Sequence, residues 1–252
     1  MNNPWQIYDD LIDSIPDDLT VLDCLVGLHW TLVRCECGLG AAMSLKGGRE
    51  EGGFIDHVGW PLKTLAARIK SWNLLEASLG QAAINAALNT PAHVELLTGQ
   101  PFYYGEHSEQ SNGFDLLLPE MRGKKVAVIG HFPNINKLRP HCQLSILERS
   151  PQDDDYPDSA CEYILPEQDI VFITGTALIN KTMPRLIELA RRARTILVGP
   201  SVPISPVLFD HGIDTVSGTV LLNHELVWNT VKQGGKMKVF RSGGQMVSIN
   251  RP

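Results

Sequence analysis

The spacing of apolar residues divides the chain near residue 124. Beyond that point, short runs rich in Val, Ile, Leu and Phe alternate with stretches of helical period, and glycine-containing turns separate them. This alternation predicts a parallel β-sheet covered by helices on both faces. Strands are predicted over residues 125–129, 143–147, 169–174, 195–198 and 214–217, and helices over roughly 134–138, 182–194, 206–211 and 222–233. Residues 237–241 and 245–249 predict a hairpin at the sheet edge.

The first half of the chain predicts a mixed α+β structure. Two apolar runs, 20–37 and 39–45, are separated by Gly38, and this arrangement predicts an antiparallel strand pair. The glycine-rich loop 46–53 is interpreted either as an ordinary mobile tip or as a lid over a cleft. Apolar residues recur with a helical period in residues 5–15, 61–72 and 74–89.

The segment between the two halves is punctuated by Pro and Gly, and its apolar periodicity is weak. A connection of this kind usually marks a domain boundary or a functional loop. We therefore predict an α+β domain over residues 1–100, a linker over 101–123 and a parallel-sheet α/β domain over 124–252.

Polar residues collect where the predicted strands of the second half end. The carboxyl ends of parallel strands meet at one edge of a sheet, and ligands bind outside that edge. Almost every predicted strand is followed by glycine and a hydrogen-bonding side chain, which favours a binding edge. The candidate ligand-binding residues there are Gly130, Glu148, Thr174, Gly175, Thr176, Asn180, Pro200 and Ser201.

The first turn of this edge, Gly130-His131-Phe132-Pro133-Asn134, lacks the second and third glycines of the dinucleotide-binding motif. The short spacing between the first two strands also implies a short crossover helix, whose dipole attracts anions weakly. Both features argue against tightly bound NAD, although Glu148 could still hold a pair of ribose hydroxyls.

His131 is the best candidate for chemistry, because an imidazole directly after a strand can act as acid, base or metal ligand near neutral pH. The alternative is a turn histidine bonded to nearby backbone. The sequence contains neither a Gly-x-Ser-x-Gly elbow nor a Gly-x-x-x-x-Gly-Lys-Ser/Thr loop, which weakens hydrolase and ATPase interpretations.

Two further pairs are candidates. Cys35 and Cys37 are two positions apart, so on a strand both thiols would face one side and could bind one metal ion together with His131. The alternative is that they are small buried residues. Glu76 and Asn85 are polar positions in the predicted helix 74–89 and are candidate ligand-binding residues. They point to roughly opposite sides at ~100° per residue, so one alone would face a cleft.

Composition narrows the class of protein. The chain has 252 residues and a net charge of -6 at pH 7, with no basic stripe, so a nucleic-acid partner is not expected. No apolar run approaches the ~20 residues of a membrane helix, so no membrane association is expected. Five scattered cysteines do not suggest a disulfide framework. The polar N-terminus does not read as a signal peptide, and a cytoplasmic protein is expected.

Several stretches resemble the family described as "putative heavy-metal chelation" proteins. In the second half they are Val128-Ile129-Gly130-His131-Phe132-Pro133, Leu147-Glu148-Arg149, Ile173-Thr174-Gly175-Thr176-Ala177-Leu178-Ile179-Asn180 and Gly199-Pro200-Ser201-Val202-Pro203. In the first half the match is Glu76-Ala77-Ser78-Leu79-Gly80-Gln81-Ala82-Ala83-Ile84-Asn85-Ala86. The resemblance implies an enolase-N-terminal-like α+β domain followed by a Rossmann-like parallel-sheet domain, with a cleft between them.

Three functional hypotheses follow. The leading one is a protein that binds a small polar ligand between its domains, with a metal ion or a metal-chelating small molecule as the candidate cofactor. The second is a Rossmann-type transferase or lyase in which His131 acts as acid or base. The third is a non-catalytic regulatory or scaffold protein. Homo-oligomerisation is left open.

Overall fold

The computed structural model describes residues 3–49, 56–104, 113–236, 240 and 243–252. Half of the glycine-rich loop 46–53, residues 50–53, and most of the first strand of the predicted tail hairpin lie outside the described residues.

A small antiparallel sheet forms the first half of the fold. Its three strands are β1 (Asp23–Val26), β2 (Trp30–Arg34) and β3 (Leu39–Met43), in the order β1-β2-β3. In the β2–β3 pair, Trp30 lies opposite Met43 and Arg34 opposite Leu39, so Cys35–Gly38 forms the tight turn between them. The antiparallel pair predicted on either side of Gly38 is confirmed.

Helix α3 (Leu74–Leu88) packs against this sheet. Helices α1 (Gln6–Asp13) and α2 (Leu62–Ala66), which continues as a 3₁₀ turn over Ala67–Lys70, pack beyond it. Helix α3 begins at Asn73, whose side chain accepts hydrogen bonds from the backbone N–H groups of Leu75 and Glu76. It is buried on nearly every side, which explains its almost uniformly apolar and small-residue sequence.

Glycine allows α3 to pack this closely. A Cβ built on Gly40 of β3 would lie 2.1 Å from the carbonyl oxygen of Ala82, and one built on Gly80 would lie 2.1 Å from the backbone nitrogen of Ile69. Real Cβ atoms do not approach backbone so closely, so both positions require the absence of a side chain. The backbone of α3 is thereby held directly against the sheet on one side and the 3₁₀ turn on the other.

A seven-stranded sheet forms the second half. Its strand order is β10-β9-β8-β7-β4-β5-β6, parallel except for the antiparallel edge pair β9–β10. The strands are β4 (Lys125–Ile129), β5 (Gln143–Glu148), β6 (Tyr156–Pro157), β7 (Ile170–Thr174), β8 (Arg194–Val198), β9 (Thr215–Leu221) and β10 (Gly244–Asn250).

Both faces of this sheet are buried. Alternate residues of the central strands, such as Val128 and Phe172, pack with Phe114 and Leu138 on one face. Their neighbours, such as Ile129 and Ile173, belong to the large core shared with the first half of the chain. Burial on both faces produces the continuous apolar runs by which the strands are predicted.

The remaining helices are α4 (Pro91–Thr98), α5 (Gly113–Met121), α6 (Cys161–Ile164), α7 (Thr176–Ile179), α8 (Met183–Leu189), α9 (Val207–Asp210) and α10 (His224–Lys232), with 3₁₀ turns at Ile135–Leu138, Asp158–Ala160 and Leu165–Glu167.

The mixed α/β class predicted from the sequence is confirmed, and the structure adds two details that were not predicted. Residues 101–123 are not free of regular structure, because α5 lies within them and its Phe114, Leu117 and Met121 pack against the sheet. Residues 237–239 and 241 of the predicted tail hairpin lie outside the described residues, but the partner of β10 is described. The strand β10 pairs with β9 over its whole length, since β9 continues beyond the predicted 214–217 to Leu221.

Polar contacts join the two halves. The buried side chain of Asn89 donates to the carbonyl of Val202 at 2.8 Å and accepts from the backbone N–H of Ile204 at 2.8 Å. The Ser201 hydroxyl accepts from the backbone N–H of Met43 at 2.9 Å. The Ser201–Met43 bond places the open end of the β2–β3 hairpin over the carboxyl end of β8.

Candidate functional site

A cleft of about 850 Å³ lies between the two sheets, at the carboxyl ends of β4, β5, β7 and β8. The first half of the chain contributes Trp30, Met43, Leu45, Lys46 and Leu74 to its wall. The candidate residues that line it are Gly130, His131, Glu148, Thr174, Thr176, Asn180, Pro200 and Ser201. The structure therefore brings four successive strand ends into one hollow, as the alternation of strands and helices predicts.

The cleft lies at the point where the chain direction across the sheet reverses. From β4 the chain proceeds outward to β5 and β6, and it then returns to β7 on the other side of β4. Such a reversal leaves a crevice between the two central strands. Gly130 borders this crevice with φ 102°, and a Cβ on it would lie 3.3 Å from Cβ of Thr174. Glycine therefore keeps the crevice open between β4 and β7.

His131 is held by two carboxylates. Its backbone N–H donates to Oε2 of Glu148 at 2.8 Å, and its Nδ1 lies 2.8 Å from Oδ2 of Asp155. The Asp155 side chain is only 2% exposed, against 23% for His131. With Nδ1–H bonded to a carboxylate, Nε2 is left with its lone pair. Nε2 has no hydrogen-bond partner among the residues described.

Glu148 fixes the backbone around the site. Its Oε2 accepts from the N–H of His131, and its Oε1 accepts from the N–H of Arg149 at 2.7 Å. Both oxygens of the carboxylate are thus bonded to main chain, which holds the turn after β4 against the end of β5. The ribose contact considered for Glu148 would have to compete with these bonds.

Thr174, Thr176 and Asn180 form the polar wall after β7. The two threonine hydroxyls are 3.0 Å apart, so one donates to the other. Oδ1 of Asn180 accepts from the backbone N–H of Thr182 at 3.1 Å and from its hydroxyl at 2.6 Å. The Asn180 amide nitrogen has no partner among the described residues, so it is a donor for a ligand in the cleft.

Charged side chains surround the opening. Lys46 and Lys236 are exposed and have no ion-pair partner within the described ranges. Arg149 is 3.5 Å from Asp158, and Arg185 forms a two-point pair with Glu162. The hydrogen bonds from Arg185 lower the pKa of the Glu162 carboxyl. Asp158 and Glu162 are thus paired with arginines, and the two lysines add positive charge at the rim that no described carboxylate contacts.

Three candidates do not line the cleft. Asn85 is fully buried, where its amide donates to the carbonyl of Ala41 at 2.8 Å and its Oδ1 accepts from Gln81 at 3.1 Å. Glu76 accepts from the Ser71 hydroxyl at 2.7 Å and pairs with Arg68 at 3.3 Å. Both side chains hold α3 in place. Gly175 is enclosed behind the cleft, against the backbone of Ser201 and Val202.

The structure also separates the proposed metal ligands. Sγ of Cys35 and Sγ of Cys37 are 3.3 Å apart, so the two thiols do face one side. They lie at the turn of the β2–β3 hairpin, whereas its opposite end, at Trp30 and Met43, borders the cleft with His131. Within the described part of the chain, no three His, Cys, Asp or Glu side chains converge on a metal site.

Sequence reasoning missed several groups at the cleft. Asp155 follows β5 within an acidic loop, and nothing in its spacing distinguishes it from Asp153 and Asp154. Lys46 and Lys236 are many residues away in the sequence from the strand ends of the parallel sheet that they face across the cleft. Cys161 also lines the cleft, and burial raises the pKa of its thiol to about 11, so it is neutral at neutral pH.

Fold and cleft together define a two-sheet α/β protein with a polar hollow at a strand-order reversal. The chain belongs to the DUF364 family, whose model, described as "Putative heavy-metal chelation", matches residues 112–250. The DUF4213 model carries the same description and matches residues 8–88. These descriptions support a general metal-binding role.

Two solved structures and one further protein are similar to this chain over nearly its whole length. A crystal structure of a DUF364 protein of unknown function from Desulfitobacterium hafniense is 38% identical, covers 100% of both chains and has a TM-score of 0.90. A DUF364 structure from Pyrococcus horikoshii is 23% identical, covers 98% of this chain and 99% of that chain, and has a TM-score of 0.80, which shows the same fold. An uncharacterized protein of Methanocaldococcus jannaschii is 28% identical over 95% of this chain and 93% of its own length. None of the helices described here has the length and hydrophobicity needed to cross a bilayer.

Proposed function

We propose that the cleft between the two sheets binds a metal ion carried by a small anionic chelator, with Nε2 of His131 as the protein's ligand to the metal. The observation that carries this proposal is the bond from His131 Nδ1 to the nearly buried Asp155 at 2.8 Å. A carboxylate on the far nitrogen is the usual support of a metal-binding imidazole, because it fixes the ring and raises the basicity of the other nitrogen.

The donor set fits a chelate better than a bare ion. A tight site for a soft metal needs several thiolates or imidazoles around one point. The described lining of the cleft offers one imidazole, one neutral thiol and several hydroxyl and amide groups. Its three carboxylates, Glu148, Asp158 and Glu162, are already bonded to main chain or to arginine. A chelator would supply the remaining donors itself, and His131 would complete the coordination sphere.

The charges at the opening suit an anionic ligand. Most small metal chelators carry carboxylates, and Lys46 and Lys236 provide unpaired positive charge at the rim of the hollow. The Asn180 amide and the Thr174–Thr176 hydroxyl pair supply hydrogen bonds to oxygen atoms further inside. A metal chelate with free carboxylate oxygens would use both features.

The test is titration calorimetry of the untagged chain with Ni²⁺–nitrilotriacetate, an anionic chelate with open coordination sites. We expect one saturable site in the wild type and an affinity at least about 10-fold lower in His131→Ala. His141→Ala, which removes an imidazole outside the cleft, is the matched control and should bind as the wild type does. Equal binding by His131→Ala and the wild type would reject this site.

A further inference from the structure

The Cys35–Cys37 pair lies apart from the cleft and has a geometry of its own. Cys35 is buried, Cys37 is exposed, and their sulfur atoms are 3.3 Å apart. Closing a disulfide requires the sulfurs to approach to about 2.05 Å, so a local adjustment of the turn would be sufficient. Within the described residues, no hydrogen bond joins the sulfur of Cys24, Cys142 or Cys161 to another sulfur.

The surrounding structure holds the two thiols together. Glu36, the residue between them, accepts hydrogen bonds from both the backbone N–H and the hydroxyl of Thr20. On the other side, Sγ of Cys37 lies 3.6 Å from the carbonyl of Ala86. The turn is therefore fixed from outside at its central residue, with both sulfurs directed to the same face of the hairpin.

We propose that Cys35 and Cys37 form a redox-active dithiol that exchanges with small-molecule disulfides. Only Cys37 is accessible to a reagent in solution, so its thiolate attacks one sulfur of the disulfide RSSR and expels RS⁻, which takes up a proton. Cys35 then loses its proton and attacks Sγ of Cys37 in the mixed disulfide, which expels the second RS⁻. The two cysteines lose two electrons and two protons in total, and one RSSR becomes two RSH.

The pair has the chemistry for this exchange. Thiolate is the reacting species, and the hydrogen bond from Cys37 lowers the pKa of Cys35 to about 7, while the same bond raises the pKa of Cys37. The Cys35 thiolate, 3.3 Å away, is therefore the base that takes the proton of Cys37 as Cys37 attacks. Because the sulfurs share one proton over a short distance, the negative charge can move to the accessible sulfur. A disulfide between residues two apart is strained and exposed, and disulfides of that kind are readily reduced again. Exchange at this turn is therefore reversible.

The experiment uses the full chain, treated with a metal chelator, in buffers with increasing ratios of oxidised to reduced glutathione. After acid quenching and alkylation, mass spectrometry follows the tryptic peptide 35–46, which contains Cys35 and Cys37 and no other cysteine. We expect this peptide to lose both alkylation sites and two hydrogens as the buffer becomes oxidising, and to regain them on reduction. Cys142 provides the internal control and should remain alkylated.

Two variants test the order of the steps. In Cys35→Ser the second attack is impossible, so Cys37 should accumulate a stable glutathione adduct that the wild type does not retain. Thr20→Val, which removes a bond to Glu36, should shift closure to more oxidising buffers. The proposal is overturned if the wild-type peptide stays doubly alkylated in every buffer, or if wild-type Cys37 retains glutathione without closing. Neither measurement depends on the function of the cleft.

Discussion

Nδ1 of His131 and Oδ2 of Asp155 are 2.8 Å apart, and the same carboxylate oxygen accepts the backbone N–H of Gln152 at 3.1 Å. The loop after β5 thereby places an almost enclosed carboxylate behind an imidazole that follows β4. This relationship joins two strand ends at the reversal of strand order. It also places a proton on Nδ1 of His131, because a carboxylate oxygen can only accept a hydrogen bond.

The first prediction concerns Asp155→Asn. The amide keeps the shape of the side chain but removes the charge that orients and polarises His131. We expect the affinity for Ni²⁺–nitrilotriacetate to fall roughly 10- to 100-fold, the usual effect of losing such a supporting carboxylate. Calorimetry measures it, with Asp154→Asn as the control, since Asp154 is exposed and pairs with Arg139. Unchanged affinity in Asp155→Asn would show that this carboxylate does not support a metal ligand.

The second prediction concerns the positive rim. At low ionic strength the double variant Lys46→Ala/Lys236→Ala should bind the anionic chelate more weakly than the wild type does. At high salt the two proteins should bind it with nearly equal affinity. Exposed charges contribute about 0–1 kcal/mol each and are screened within roughly 10 Å at 0.1 M salt. Titrations at several salt concentrations measure the slope of the logarithm of the affinity against the logarithm of the salt concentration. Lys124→Ala, an exposed lysine at the opposite end of β4, should leave that slope unchanged.

Much of the fold was predictable because burial on two faces leaves a clear pattern. The strand predicted over 125–129 and that observed over Lys125–Ile129 have the same limits. The polar residues after these strands fall at one edge because parallel strands leave no other arrangement. The helix α3 was also predictable, since the helix predicted over 74–89 is observed over Leu74–Leu88.

The remainder depends on contacts between distant parts of the chain. The strand β10 pairs antiparallel with β9 at the edge of the sheet. No local feature of the sequence specifies this partner or its register. Asn85 shows the limit for single residues, because its polar side chain satisfies the carbonyl of Ala41 inside the core rather than a ligand. Asp155 shows the converse, since an acidic loop residue acquires its importance only from the position of His131.

The third prediction tests the packing of α3. Gly80→Ala gains helix propensity of about 1 kcal/mol. The new Cβ would, however, lie 2.1 Å from the backbone nitrogen of Ile69, which cannot move as a side chain can. We expect a net loss of about 2–3 kcal/mol in the free energy of unfolding, measured by urea denaturation. In Gly113→Ala the nearest atoms are side-chain atoms of Ser217 at 3.2 and 3.3 Å, so the loss should be smaller. A stabilised Gly80→Ala would contradict the observed contact.

The fourth prediction concerns Lys181, which joins the two halves beside the cleft. Its Nζ donates to the carbonyls of Ser71 and Ile179 and lies 5.8 Å from the centre of the Trp72 ring. Burial lowers the pKa of Lys181 to about 8, whereas a lysine in an unfolded chain has a pKa of about 10.4. Between these values the unfolded chain binds a proton that the folded protein does not bind. The contribution of Lys181 to stability must therefore rise with pH across this window.

Lys181→Met isolates that contribution, because methionine has a similar length and no charge. Other groups titrate in the same range, but they do so in both proteins and cancel in the difference. We expect the wild type to gain free energy of unfolding relative to Lys181→Met between about pH 8 and about pH 10. Urea denaturation at both pH values measures this difference. The exposed Lys232→Met should show no such gain, and a parallel pH dependence of wild type and Lys181→Met would mean that Lys181 keeps its ordinary pKa in the folded protein.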